Sequence, residues 1–167
     1  MEITMVPVDK KDKEILRNLL EKYDYEFSQY DGRDVNQYGL YGYDYLDHYW
    51  TEPSRHAFFV KAGGNLAGFV MVNRFTETKE ETDYSMSEFF IMYKYRRSGI
   101  GRHAAMQVFG MFRGRWQVKY HPGNTGSGLF WVNVVNDFTK GDYRLEKAYP
   151  GTEYDDGTPG DILFFRT

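Results

Sequence analysis

Ser87-Glu88-Phe89-Phe90-Ile91-Met92, Tyr93-Lys94-Tyr95, Arg96-Arg97-Ser98-Gly99-Ile100-Gly101 and then Arg102-His103-Ala104-Ala105 onward to Phe112 decide the fold. The stretch reads as a strand, a basic glycine loop and a helix. Gly99 and Gly101 lack Cβ, so the backbone can turn tightly there and present successive N–H groups to a ligand. Ile100, Ala104, Val108, Met111 and Phe112 recur at helical spacing. A helix beginning at that loop turns its unpaired N–H groups and positive dipole end toward the turn, which favours an anion, phosphate above all.

Charge placement strengthens this reading. From Phe89 to Asn136 there is no Asp or Glu, while Lys94, Arg96, Arg97, Arg102, Arg113, Arg115 and Lys119 give +7. The whole chain stands at −3, which leaves −10 for the remainder. Such asymmetry predicts a basic groove set in acidic surroundings. Taken singly, each arginine reads equally as part of a solvated face.

At these residues the sequence resembles a family. Arg96-Arg97-Ser98-Gly99-Ile100-Gly101 resembles the acyl-coenzyme A loop of the GNAT superfamily of N-acetyltransferases: Arg or Gln, any two residues, Gly, any residue, then Gly or Ala. The context agrees, with an apolar strand before it, a helix after it, a further strand at Trp116 to Tyr120 and Asn124 opening another helix. The run from Glu88-Phe89-Phe90 to Phe130-Trp131 is also similar to a subgroup of largely uncharacterised bacterial GNAT proteins. The specific resemblance covers about residues 55 to 138.

The 167 residues suit one domain spanning 1–167, with 41% hydrophobic and 19% aromatic residues to build a core. With no cysteine, disulfides, thiolate nucleophiles and Cys-based metal sites are excluded. Met1-Glu2-Ile3-Thr4 opens no signal peptide pattern, and no stretch approaches the ~20 apolar residues of a membrane span. A soluble cytoplasmic protein is the expectation. His48, His56, His103 and His121 show no metal-binding spacing. Absence of a Gly-Lys-Ser/Thr ending argues against a P-loop, and Ser98 and Ser127 lack the surroundings of a hydrolase nucleophile.

Taken in order, Ile3 to Val8 predicts a strand, and Asp9 can cap a helix striped by Ile15, Leu16, Leu19, Leu20, Tyr23 and Phe27. Ser28 to Pro53 breaks into glycines and rings, including Tyr38, Tyr41, Tyr43, Tyr45, Tyr49 and Trp50, with Asp44 and Asp47 among them and Arg33 as its one Lys or Arg. The resemblance implies a substrate lid here, with Asp44 and Asp47 as cation-binding candidates; rings that simply finish the core are the alternative. Ala57 to Lys61 and Leu66 to Arg74 predict a hairpin around Gly63-Gly64-Asn65. By period two, Glu88, Phe90 and Met92 share one face of the Met86 to Met92 strand. Asp142 to Tyr149 and Asp161 to Arg166 complete the strands.

Acetyl transfer from a thioester to an amine needs the carbonyl held, the amine neutral and the leaving thiolate stabilised. Glu88, a carboxylate inside an apolar strand, is the candidate base, with burial raising its pKa. A glutamate paired to a nearby Arg or Lys is the plainer reading. The loop's N–H groups around Arg97 to Arg102 would hold a pyrophosphate. The resemblance further implies that the backbone of Phe89, Phe90 and Ile91 pairs with the pantetheine arm and that Asn124 contacts it. It implies an α/β (α+β) fold: a mixed, mostly antiparallel sheet of six or seven strands flanked by helices and splayed between the fourth and fifth.

One departure stands out. Seven residues after Asn124, where many GNAT enzymes carry a tyrosine that protonates the thiolate, this chain has Trp131, whose indole is no practical proton donor. Tyr120, Tyr143 or water would then serve. The expected function is N-acetyl transfer from acetyl-coenzyme A to a primary amine of a small cationic acceptor, by direct attack in a ternary complex without a metal. The alternative is an inactive module that binds or senses acyl-coenzyme A. Nucleic-acid and membrane partners are not expected; the resemblance implies a homodimer.

Overall fold

The computed structural model describes every residue from Met1 to Thr167. The β-rich, alternating runs form strands β1 (Ile3–Pro7), β2 (His56–Ala62), β3 (Asn65–Asn73), β4 (Tyr84–Ile91), β5 (Arg115–Tyr120), β6 (Tyr143–Glu146) and β7 (Asp161–Arg166). They make one mixed sheet in the order β1-β2-β3-β4-β5-β7-β6. Every neighbouring pair is antiparallel except β4 and β5. The predicted hairpin is present, its turn made by Gly63 (φ 56°) and Gly64 (φ 80°), left-handed at both positions as a type I′ turn demands.

The helices are α1 (Lys13–Asp31), α2 (Ile100–Met111) and α3 (Thr125–Thr139). Asp9 caps a single 3-10 turn rather than α1 itself, its carboxylate accepting the Lys11 N–H at 3.0 Å. The first helix also runs past the end of its predicted stripe, because nothing stops it before Gly32, whose φ of 71° and bond to the Ser28 carbonyl form a left-handed C-terminal cap. Helix α1 and the 3-10 turn at Leu46–Trp50 cover one sheet face, burying Leu16, Leu19, Leu20, Leu46 and Tyr49 against Phe59, Phe69, Met71 and Phe90. Helices α2 and α3 cover the other, around Phe109, Trp116, Trp131 and Leu163.

Two irregularities in β4 position the site. Met71 pairs with Glu88 but Val72 with Met86, so Ser87 is the extra residue of a bulge. The bulge breaks strict alternation: Met86 joins the core under α2 and α3, whereas Glu88 faces the α1 side together with Phe90. The second irregularity is a splay. β4 and β5 pair only at Tyr84↔Trp116 and Ser85↔Gln117, and beyond those residues the strands part.

Candidate active site

Glu88 lies half-buried in a cleft of about 400 Å³. Tyr23, Phe27 and Arg33 close it from α1 and the turn that follows. Asn73, Phe75 and Glu77 border it from the end of β3 and the next loop, Gln117 and Lys119 from β5, and Thr152 and Tyr154 from the loop before β7. Burial is the main cause that pushes the Glu88 carboxyl up to about 7, and the Asp24 charge adds to it. The nearby Tyr23 and Tyr43 hydroxyls and the positive charge of Arg33 act the other way. No cation forms an ion pair with Glu88. The plainer reading, a glutamate neutralised by Arg or Lys, therefore does not hold.

The aromatic segment 28–53 completes the core, and its Arg33 lines the cleft. Leu46 and Tyr49 are buried beneath it, and the Asn73 amide donates to the Tyr49 hydroxyl at 3.4 Å. The Glu21 carboxylate on α1 fastens the segment by accepting the Tyr41 and Gly42 N–H groups at 2.8 and 3.0 Å. Its Tyr43 lies near Glu88 and bears on that carboxyl. Asp44 and Asp47 do not line the cleft: both are exposed, and Asp47 pairs with Lys13.

The glycine loop stands at the open end of the splay. Arg97 (φ 58°) and Gly99 (φ 81°) are both left-handed, and the first bond of α2 runs from the His103 N–H to the Gly99 carbonyl. The N–H groups of Ile100, Gly101 and Arg102 precede that bond and have no helical acceptor, as an anion site requires. A Cβ on Gly101 would sit 3.4 Å from the Phe130 ring, so glycine lets α2 and α3 meet closely beside the gap.

Side chains of the loop are mostly engaged within the protein. Arg96 departs from the expected ligand role: its guanidinium is bidentate on Glu26 of α1 at 2.7 and 2.6 Å, and its Nε donates to the Ile91 carbonyl at 2.6 Å. The Ser98 hydroxyl bonds the Tyr95 carbonyl at 2.7 Å, Ile100 is a core residue, and Arg102 pairs with Asp137 at 3.0 Å. Arg97 alone of these side chains is exposed and unpaired. The basic groove is correspondingly smaller than the sequence predicts, since Arg115 pairs with Asp83 and Glu81, and Lys119 with Glu77.

Strand alternation assigns the backbone of β4. The Met92 N–H bonds the Ala67 carbonyl, and the Phe90 carbonyl is directed at Gly68, so Phe90 turns its polar groups to β3. Phe89 and Ile91 must turn theirs the opposite way, into the gap. Phe90, between them, bonds to β3, and its ring packs on Tyr23 at 5.9 Å. Asn124 caps α3 through its side-chain oxygen, which accepts the Ser127 N–H at 3.1 Å, leaving its NH₂ as a donor. Trp131 is 5% exposed and packs on Phe89 at 4.9 Å. It is a core residue.

The model of the acetyltransferase (GNAT) family matches residues 14–127. This chain belongs to that family. It is an acyltransferase by that membership, and its sheet order and splay are those of the family's fold. An acetyltransferase from Thermus thermophilus is 16% identical with a TM-score of 0.72, covering 100% of this chain and 98% of its own. The spermidine N-acetyltransferase of Vibrio cholerae, solved with coenzyme A and spermine, is 11% identical with a TM-score of 0.65 over 98% of this chain and 95% of its own. A GNAT family acetyltransferase from Elizabethkingia anophelis with acetyl-coenzyme A bound is 16% identical with a TM-score of 0.57, over 99% and 98% of the two chains. No curated protein matches the sequence. No helix is long and apolar enough to cross a membrane.

Sequence reasoning missed Asp24, Tyr154 and the part Tyr23 plays. Asp24 had left a signal: it falls on the apolar stripe between Leu20 and Phe27, where a carboxylate needs a buried partner. Tyr154, in a loop rich in Pro, Gly and Asp, had none.

Proposed function

We propose that the protein transfers the acetyl group of acetyl-coenzyme A to the primary amine of a small acceptor, with Glu88 as general base. The observation that carries this reading is a carboxylate without a cation partner at the floor of a cleft, held near neutrality by burial. A base poised near the working pH is the efficient one. The thioester supplies an acyl carbon open to direct attack. The N–H groups at the start of α2, with Arg97, suit the coenzyme's pyrophosphate, and the gap-facing backbone of Phe89 with the Ile91 N–H suits its amide arm, the Ile91 carbonyl being held by Arg96. Glu88 takes the proton of the acceptor ammonium, directly or through water, and the Tyr23 and Tyr43 hydroxyls orient its carboxylate.

Tyr120 is our choice for returning a proton to the leaving thiolate. It ends β5 at the splay, its ring against Gly128 at the start of α3, and burial raises its pKa so that it stays protonated. Tyr143 sits on the edge strand β6 and lines a separate groove with Glu80, Arg115 and Arg144. The cleft also bears on the acceptor. Arg33 and Lys119 are each neutralised by carboxylates, so Glu88 is the group left to attract an ammonium, which favours a cationic amine.

A screen of amines for coenzyme A thiol release tests the proposal. An acceptor should be turned over by the native chain and not by Glu88→Gln, with acetyl-coenzyme A bound equally by both. A Glu88→Gln variant that keeps its rate with an acceptor used by the native protein would refute the role of Glu88. Release from no amine, with the coenzyme still bound, would instead favour the sensing module.

A further inference from the structure

Behind Glu88 lies a buried charged cluster that the transfer step does not itself use. Asp24 and Asp31 are 4% and 2% exposed, and one cation serves both. Arg33 donates from Nη1 to Asp24 at 2.9 Å and from Nε to Asp31 at 2.7 Å, with Nη2 on the same Asp31 oxygen. Its own backbone N–H donates to the other Asp31 oxygen at 3.2 Å, and its guanidinium lies 5.2 Å over the Phe27 ring. Two buried carboxylates on one part-exposed guanidinium leave an excess negative charge beside the cleft. A purely structural clamp would balance the charges.

The cluster is tied to Glu88 by the chain. Asp24 follows Tyr23 on α1, and Tyr23 and Arg33 both line the cleft that holds Glu88. Asp24 and Arg33 act on Glu88 in opposite senses: the aspartate disfavours its ionised form and the guanidinium favours it. Asp24 is itself pushed up to about 6, chiefly by burial, close to the about 7 of Glu88.

We infer that Arg33 and Asp24 are positioning residues for Glu88, their opposed charges, anchored by Asp31, setting how readily Glu88 takes a proton and so the pH range in which it works. The inference rests on the proposed function only for its link to turnover. The other polar groups facing Glu88 are Tyr23 from α1, Tyr43 and Tyr49 from segment 28–53, Ser87 beside it and Tyr154 from the loop before β7. Lys119 and Glu77 face the same cleft as a neutral pair.

The test is a carboxyl ¹³C NMR titration of Glu88 in the full chain without ligand. Arg33→Gln should move the Glu88 midpoint up and Asp24→Asn should move it down, each by about half a pH unit or more, with Arg33→Lys close to native. Opposite directions are what a merely structural role would not produce. A Glu88 midpoint unchanged in Asp24→Asn, or moved upward by it, overturns the inference. Asp24→Asn keeps the Arg33–Asp31 pair and so decides the matter even if Arg33→Gln does not fold. The acid limb of the pH–rate profile should follow the same two directions; NMR midpoints that move while the limb stays fixed leave the charge coupling standing and overturn Glu88 as the base.

Discussion

Glu88 combines a cost to the fold with the base role proposed for it. Its carboxyl stands near 7 against the ordinary 4.5, so the folded chain prefers it protonated. The stability this contributes is full below about pH 4.5 and is lost as pH rises through about 7. Glu88→Gln should therefore melt higher than the native protein at about pH 8, with the difference vanishing near pH 4, a comparison that calorimetry reads directly. The rate has the opposite sign, because the base works ionised: turnover should rise through about pH 7 and level off above it. Loss of the base should lower kcat by roughly 10²–10⁴ while leaving coenzyme affinity intact. Glu88 was legible because a carboxylate interrupts an apolar strand. Of the groups around it, Asp24 left a signal on the α1 stripe, whereas Arg33, Tyr43 and Tyr154 did not, because they come from segments without periodicity.

At the scale of elements, the junction of β3 with β4 holds the base in place. A Cβ on Gly68 would lie 2.0 Å from the Phe90 carbonyl oxygen, a backbone atom that cannot swing aside. Gly68→Ala should accordingly cost about 3 kcal/mol or more in urea unfolding, the mark of strain in a packed sheet. Arg96 works in the same region by joining α1 to the end of β4 through Glu26 and the Ile91 carbonyl. Arg96→Ala should cost roughly 2 kcal/mol, the scale of hydrogen bonds to charged groups, and should raise the KM of the acceptor by loosening the α1 wall. Urea unfolding and steady-state kinetics separate the two effects. Strand and helix types were readable from periods of two and 3.6, yet the Ser87 bulge was not, since an added residue leaves no mark in an apolar run. The same local reading took Arg96 for a ligand, whereas its partner lies on a helix far earlier in the chain.

Over the whole molecule, charge and topology tell different stories about the coenzyme site. The run without acids predicts a broad basic groove, but Glu26, Asp137, Asp83, Glu81 and Glu77 from outside it neutralise four of its seven cations. What survives is a backbone site: the start of α2, preceded by the left-handed Arg97 and Gly99, set at the parting of β4 and β5. The fold class was legible because the loop motif, its flanking elements and the hairpin agree on one fold. The ion pairs were not, since each joins residues 32 or more positions apart. Isothermal titration with acetyl-coenzyme A tests the account most directly, with Arg97→Glu combined with Gly99→Asp as the control. The account predicts saturable micromolar binding by the native chain that the double variant loses. A folded native chain that takes up no acetyl-coenzyme A would contradict it.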